Sequence, residues 1–214
     1  MDHRPAIHFL HIGKTGGNAI KSALRPFTES RCIILHSHAT RLEDVPVGDR
    51  AFFMLRDPLA RFVSGFNSRL RKGAPRRTGR WTQGEERAFA RFTTPNALAE
   101  ALGTPEADDA MREIGHVRQH YRYWLRDAAY VAMRDVVLIG RQEHLAADFG
   151  RLKCLLDIPD ATLPDDPVVA HVTPCGFPVN LSERGKAQLR AWYADDIALY
   201  EALTARAHQS TARS

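Results

Sequence analysis

The sequence predicts an α/β domain built on a mainly parallel sheet. Two observations carry that expectation. Short apolar runs of strand length recur along the chain, and each is followed by a stretch with helical spacing. Sheets of this kind bind their ligands beyond the carboxyl ends of the strands.

The first run, Ala6 to Ile12, reads as a buried strand. It leads into Gly13-Lys14-Thr15-Gly16-Gly17 and a helix from Asn18 to Leu24, closed by Pro26. A second short run, Cys32 to Leu35, ends in His36-Ser37-His38. The third, Ala51 to Leu55, runs into Arg56-Asp57-Pro58. Proline there suits the first turn of a helix, and Leu59, Phe62, Val63 and Phe66 keep helical spacing after it. Gly73 to Gly84 is basic and rich in glycine and proline, which predicts a loop. Helical patterns return over Glu85 to Leu102 and Pro105 to Asp127. Val136 to Gly140 is a further buried strand, followed by a helix over Glu143 to Leu156. After a proline-rich connection the last helix starts near Ser182, with Leu189, Trp192, Ile197, Tyr200 and Leu203 as its apolar stripe.

A chain of 214 residues suits one domain, expected over residues 1–208 with a disordered tail at 209–214. At this size about 70% of the surface is buried on folding. Hydrophobic content of 44% and charged content of 26% exclude disordered and collagen-like classes. The apolar runs fall far short of the ~20 residues that span a bilayer. The first strand begins within five residues, which leaves no room for a signal peptide or anchor and predicts a cytoplasmic protein. Cys32, Cys154 and Cys175 are odd in number and widely spaced, so they are expected to be reduced packing residues.

The net charge of +5 is unevenly placed. Between Arg56 and Arg80 eight basic residues face one acid, Asp57, a net of +7 that leaves −2 for the rest. Such a segment faces an anion (nucleotide, acidic glycan, nucleic acid or membrane surface) or is a solvated face.

Two motifs sharpen that choice. Gly13 to Asn18 is a strand-to-helix turn with a lysine and a glycine pair, a cradle in which backbone amides and an ammonium meet a phosphate-like anion. It is not a Walker A loop, because the lysine precedes the glycines. In Arg56-Asp57-Pro58-Leu-Ala-Arg61-Phe-Val-Ser64, a guanidinium at a strand end and a hydroxyl two helical turns later suit a second phosphate. Arg61 is expected to form a surface salt bridge instead.

Together, I-x-K-T-G-G after a strand and strand-R-D-P-x-x-R-x-x-S resemble the sulfotransferases that use 3′-phosphoadenosine 5′-phosphosulfate. The nearest likeness is to the carbohydrate branch that includes heparan sulfate 2-O-sulfotransferase and bacterial relatives. Leu138 to Glu143, His171 and the segment Asp196 to Tyr200 are weaker echoes of the same family. The resemblance implies a P-loop-like, three-layer fold, with helices flanking a central parallel sheet. It implies that Lys14, Thr15, Gly16, Gly17 and Asn18 hold the 5′-phosphosulfate, and that Arg56 and Ser64 bind the 3′-phosphate. Where family members carry a hydroxyl, this chain has Asn18 and Ala19, of which only Asn18 can donate. It further implies that a histidine pair, here His36 and His38, supplies the catalytic base; alternate residues of an extended segment project to one side, and His38 is favoured. The expected acceptor is a hydroxyl on a sugar or glycolipid, with no metal and no nucleic acid as partner.

Arg69, Lys72, Arg76, Arg77 and Arg80, with Trp81 beside them, are candidate acceptor contacts or plain surface. Two other classes compete: a P-loop kinase or nucleoside triphosphatase with Asp57 at its magnesium, and a non-enzymatic nucleic-acid-binding protein that uses the basic stretch.

Overall fold

The computed structural model describes residues 5–75, 78–166, 168, 174 and 176–211. The chain divides into two compact units: Met1–Arg56 with Tyr121–His171 and Ala198–Ser214, and Asp57–His120 with Val172–Ile197.

The first unit holds a four-stranded sheet of β1 (Ile7–Leu10), β2 (Ile33–Leu35), β3 (Arg50–Leu55) and β4 (Val136–Arg141). All neighbours are parallel, in the order β2-β1-β3-β4. The two central strands are the two most buried, as they must be when both faces are covered. Alternation divides their side chains. Ile7, Phe9, Phe52 and Met54 pack with Ile20 and Leu24 of α1 (Gly17–Leu24) and with Phe149 and Leu152 of the helix Leu145–Leu156. Leu10, Phe53 and Leu55 enter a second core with Leu42, Tyr121, Trp124, Val131 and Leu203. The unit is therefore a three-layer α/β sandwich, the class the sequence predicts.

The second unit is helical: α2 (Pro58–Leu70), α3 (Gln83–Arg91), α4 (Pro95–Glu100) and α5 (Pro105–Glu113), completed by the helix Glu183–Trp192. In chain order the remaining helices are α6 (Arg122–Leu125), α7 (Ala128–Met133), α8 (Leu145–Leu156), α9 (Glu183–Trp192) and α10 (Ala194–Thr211). Asp57, Thr82, Thr94, Thr104 and Ser182 each cap a helix by accepting a backbone N–H three residues on. Phe62, Phe66, Phe89, Leu98, Met111 and Tyr193 form the core of this unit.

Several expected helices are shorter than their patterns. Residues 85–102 split into α3 and α4, because Thr94 caps a new helix and Pro95 cannot continue the old one. Residues 105–127 are helical only in α5 and α6; Ile114 turns extended ahead of Gly115. The last helix is two, broken at Tyr193 (φ −100°, ψ 23°). The expected loop ends early, as Thr82 and Glu85 close a capping box and start α3 at Gln83. Of the expected tail, residues 209–211 continue α10, and 212–214 lie outside the described residues.

Arg61 does form a salt bridge, but not at the surface. It is 2% exposed, pairs with Asp196 at 3.7 Å and donates to the Gln119 carbonyl at 2.6 Å.

Glu85 is a second buried charge. Its carboxylate takes both Arg69 donors (2.6 and 2.5 Å) and the N–H groups of Thr82 and Gly115 (3.1 Å each). Burial pushes this carboxyl up, but the hydrogen bonds from Arg69, Thr82 and Gly115 and the Arg69 charge together hold it below its ordinary value. A depressed folded-state pKa stabilises the fold above the unfolded value and loses that contribution as pH falls through the folded one. Thermal melts should therefore show stability falling below about pH 4.5, the ordinary carboxylate range. Glu85→Gln should be less stable at pH 7 and flatten that acid slope; an unchanged slope would show that Glu85 is not its source.

Candidate functional site

Strand order decides where a ligand can enter the first unit. The chain leaves β1 toward β2 on one side and returns to β3 on the other, so the crevice opens beyond the carboxyl ends of β1 and β3. Those ends carry Gly13 to Gly17 and Arg56.

The turn after β1 is held from inside. Thr15 is 1% exposed and its hydroxyl donates to the Ile12 carbonyl at 3.0 Å. Lys14 (φ 70°) and Gly16 (φ 83°) both lie in the left-handed region, which costs a lysine roughly 1–2 kcal/mol and glycine far less. Strain of this kind concentrates at functional sites. Gly16 caps α1, accepting from the N–H groups of Ala19 (3.1 Å) and Ile20 (3.4 Å). Gly17 is required by close approach: a Cβ there would overlap the buried His11 ring and sit 2.5 Å from its Nε2. The first turn of α1 carries no acidic residue, and its amide N–H groups form the positive end of the helix dipole.

Arg56 is fixed at the end of β3. Its N–H donates to the Tyr121 hydroxyl at 2.9 Å, and that hydroxyl donates to the Arg56 carbonyl. Its Nη1 donates to the Lys14 carbonyl at 3.4 Å, so the Arg56 guanidinium lies against the turn that follows β1.

The end of β2 supplies the histidines. The His36 N–H donates to the Phe9 carbonyl at 3.1 Å, extending the parallel pairing one residue past β2. The His36 ring meets His8 of β1, Nε2 to Nδ1 at 2.7 Å, and His8 Nε2 lies 3.1 Å from the Asp49 carboxylate. His38 Nδ1 donates to the His11 carbonyl at 2.9 Å, and its ring lies 3.9 Å from that of His11, centroid to centroid. The Trp124 indole holds the His38 carbonyl at 2.8 Å. Each histidine of the pair therefore has one ring nitrogen engaged on or just beyond β1. Burial pulls the His36 pKa below its ordinary value, His8 and Lys21 add to the shift, and Asp44 opposes it. Such an imidazole is neutral, hence basic, at neutral pH.

Thus the first unit brings together Lys14, Thr15, Gly16, Gly17, Asn18, Arg56, His36 and His38. Ser64 belongs to the second unit, on α2, half-buried. There Arg69 pairs with Glu85, Trp81 donates to the Arg69 carbonyl at 2.7 Å, and the Lys72 ammonium lies 4.3 Å over the Trp81 ring. Arg80 is exposed. Arg76, Arg77, His171 and Cys175 lie outside the described residues. Asp57, the carboxylate a magnesium-dependent rival would need, accepts from the Ala60 N–H at 2.8 Å as the cap of α2.

Four residues of the cluster escape sequence reasoning: His8, His11, Asp49 and Tyr121. The two histidines did leave a signal, being polar rings inside an otherwise apolar buried run. Asp49 and Tyr121 leave none, since their partners are 41 and 65 positions away.

Comparison with protein-family models, curated proteins and solved structures gives no match. Among the described residues no helix is long and apolar enough to cross a membrane, and no three His, Cys, Asp or Glu side chains form a metal-holding group.

Proposed function

We propose that this protein is a sulfotransferase that moves a sulfuryl group from 3′-phosphoadenosine 5′-phosphosulfate to a hydroxyl on a carbohydrate or glycoconjugate. The observation that carries the reading is the convergence of Lys14, Arg56 and the N-terminus of α1 at the topological switch point, with His36 and His38 on the next strand end. Lys14 and the α1 amides bind the phosphosulfate, and Arg56 answers the 3′-phosphate. A histidine removes the acceptor proton as the hydroxyl oxygen bonds to sulfur. The bond from sulfur to the phosphate oxygen breaks, and adenosine 3′,5′-bisphosphate leaves with its new charge stabilised by Lys14 and the amides. Free thiols at Cys32 and Cys154 agree with a reducing, cytoplasmic setting.

The kinase reading has less behind it, because the Walker order is absent and Asp57 is engaged as a helix cap. Adenosine 3′,5′-bisphosphate at one hundred times its Kd should stabilise the fold by about 2.7 kcal/mol. For a chain of this size that is a Tm rise of roughly 5–10 °C. Adenosine triphosphate should give a clearly smaller rise. Equal shifts, or none, would overturn the cofactor assignment. Labelled sulfate supplied on the donor, offered with a panel of glycans and small alcohols, then identifies the acceptor.

A further inference from the structure

His8 and Asp49 are buried polar groups that the reaction just described does not use, 4% and 8% exposed. Polar side chains in a central strand carry a desolvation cost, which hydrogen bonds must offset. Here the bonds form a directed chain. Asp49 Oδ1 accepts the Ala6 N–H at 2.9 Å, which orients the carboxylate, and Oδ2 faces His8 Nε2. A carboxylate only accepts, so His8 Nε2 carries a hydrogen. In neutral His8 the other nitrogen, Nδ1, is then an acceptor, and the atom facing it at 2.7 Å is His36 Nε2. His36 Nε2 must therefore carry the hydrogen of that bond. The two ring planes lie 18° apart, which suits an in-plane bond.

We infer that Asp49 and His8 are positioning residues that lock His36 as the Nε2–H tautomer, so that His36 Nδ1 is the atom that takes the proton from the acceptor hydroxyl. The inference rests on the sulfotransferase reading and moves the base from His38 to His36. Proton balance is complete. The acceptor O–H proton bonds to Nδ1, Nε2–H stays on its bond to His8, and the imidazolium that forms lies at the head of a chain ending on a carboxylate. The groups around His36 are His8 on β1, Lys21 on α1 and Asp44 on the 3-10 turn Leu42–Asp44. Burial above all, with the Lys21 charge adding to it, favours its neutral form before the acceptor arrives. A His8 imidazolium would reverse the chain, donating from Nδ1 and leaving His36 with its hydrogen on Nδ1.

The tautomers are read directly by long-range proton–nitrogen correlation NMR on the full chain, labelled at histidine, above the pH at which His36 titrates. The expected spectrum shows Nε2–H for both His8 and His36. An Nδ1–H signal for His36, or an even mixture, overturns the inference. Asp49→Asn keeps the shape but puts an amide where one of two acceptor oxygens stood. It should drive His8 to Nδ1–H and His36 to Nδ1–H with it, while adenosine 3′,5′-bisphosphate still binds within about threefold. An unchanged His36 tautomer in that variant also overturns the inference. If Asp49→Asn does not fold, His8→Phe removes the acceptor instead and should release His36 into a tautomer mixture. Bisphosphate binding by the unmodified protein reports separately on the sulfotransferase reading, so the two failures are distinguishable.

Discussion

Replacing Lys14 with alanine is expected to lower sulfate transfer by about 10²–10³-fold, the usual loss when one preorganised donor to developing charge is removed. Lys14 is half-buried in a turn whose backbone is braced by Thr15 and Gly16 and whose Lys14 carbonyl accepts from Arg56. The loss should fall mainly on kcat, since negative charge grows on the bridging oxygen only as the sulfur–oxygen bond breaks. Lys14→Arg restores the charge but not the point geometry, and should recover only part of the rate. A Lys14→Ala variant that transfers sulfate at the parent rate would move the leaving-group role elsewhere.

The second large effect is at Gly17. Adding one methyl group in Gly17→Ala drives a Cβ into the ring of His11. That ring is 4% exposed and packed against both Phe9 and His38, so it has little room to yield. Overpacking of this kind costs about 1–3 kcal/mol, a Tm loss of roughly 2–12 °C in a chain of this size. Activity should fall further than stability alone requires, because His38 is held by the His11 carbonyl and moves with it. Differential scanning calorimetry and a transfer assay on the same sample separate the two. A Tm within 1 °C of the parent's would mean that His11 has space it does not show.

How much of this was legible in the sequence depends on the range of the interactions. The strands were readable because both faces of β1 and β3 are covered, which forces unbroken apolar runs such as Ala51 to Leu55. Helix ends were not, because apolar spacing runs through the breaks at Thr94 and Tyr193; caps and single dihedrals decide those. Within the candidate site, the Lys14 turn was visible as a local motif, its lysine and glycines being neighbours in the chain. The chain from Asp49 through His8 to His36 was invisible, since it joins three strands whose adjacency exists only once the sheet order is known. Tyr121 lies in a stretch that reads only as helical pattern, and its hydroxyl proves to fasten the end of β3.

The make-up of the first unit has a consequence for how the chain is born. Its three leading strands are synthesised first, but β4 and the tyrosine that fastens β3 arrive only after residue 120. Until then β3 is an open edge bearing Phe52, Phe53 and Leu55, the kind of surface that invites pairing with another nascent chain. Most of the helical unit leaves the ribosome during that wait and has the local contacts to fold early. The turn at Lys14 is thus among the first parts made, while the strand end that carries Arg56 is among the last to be secured.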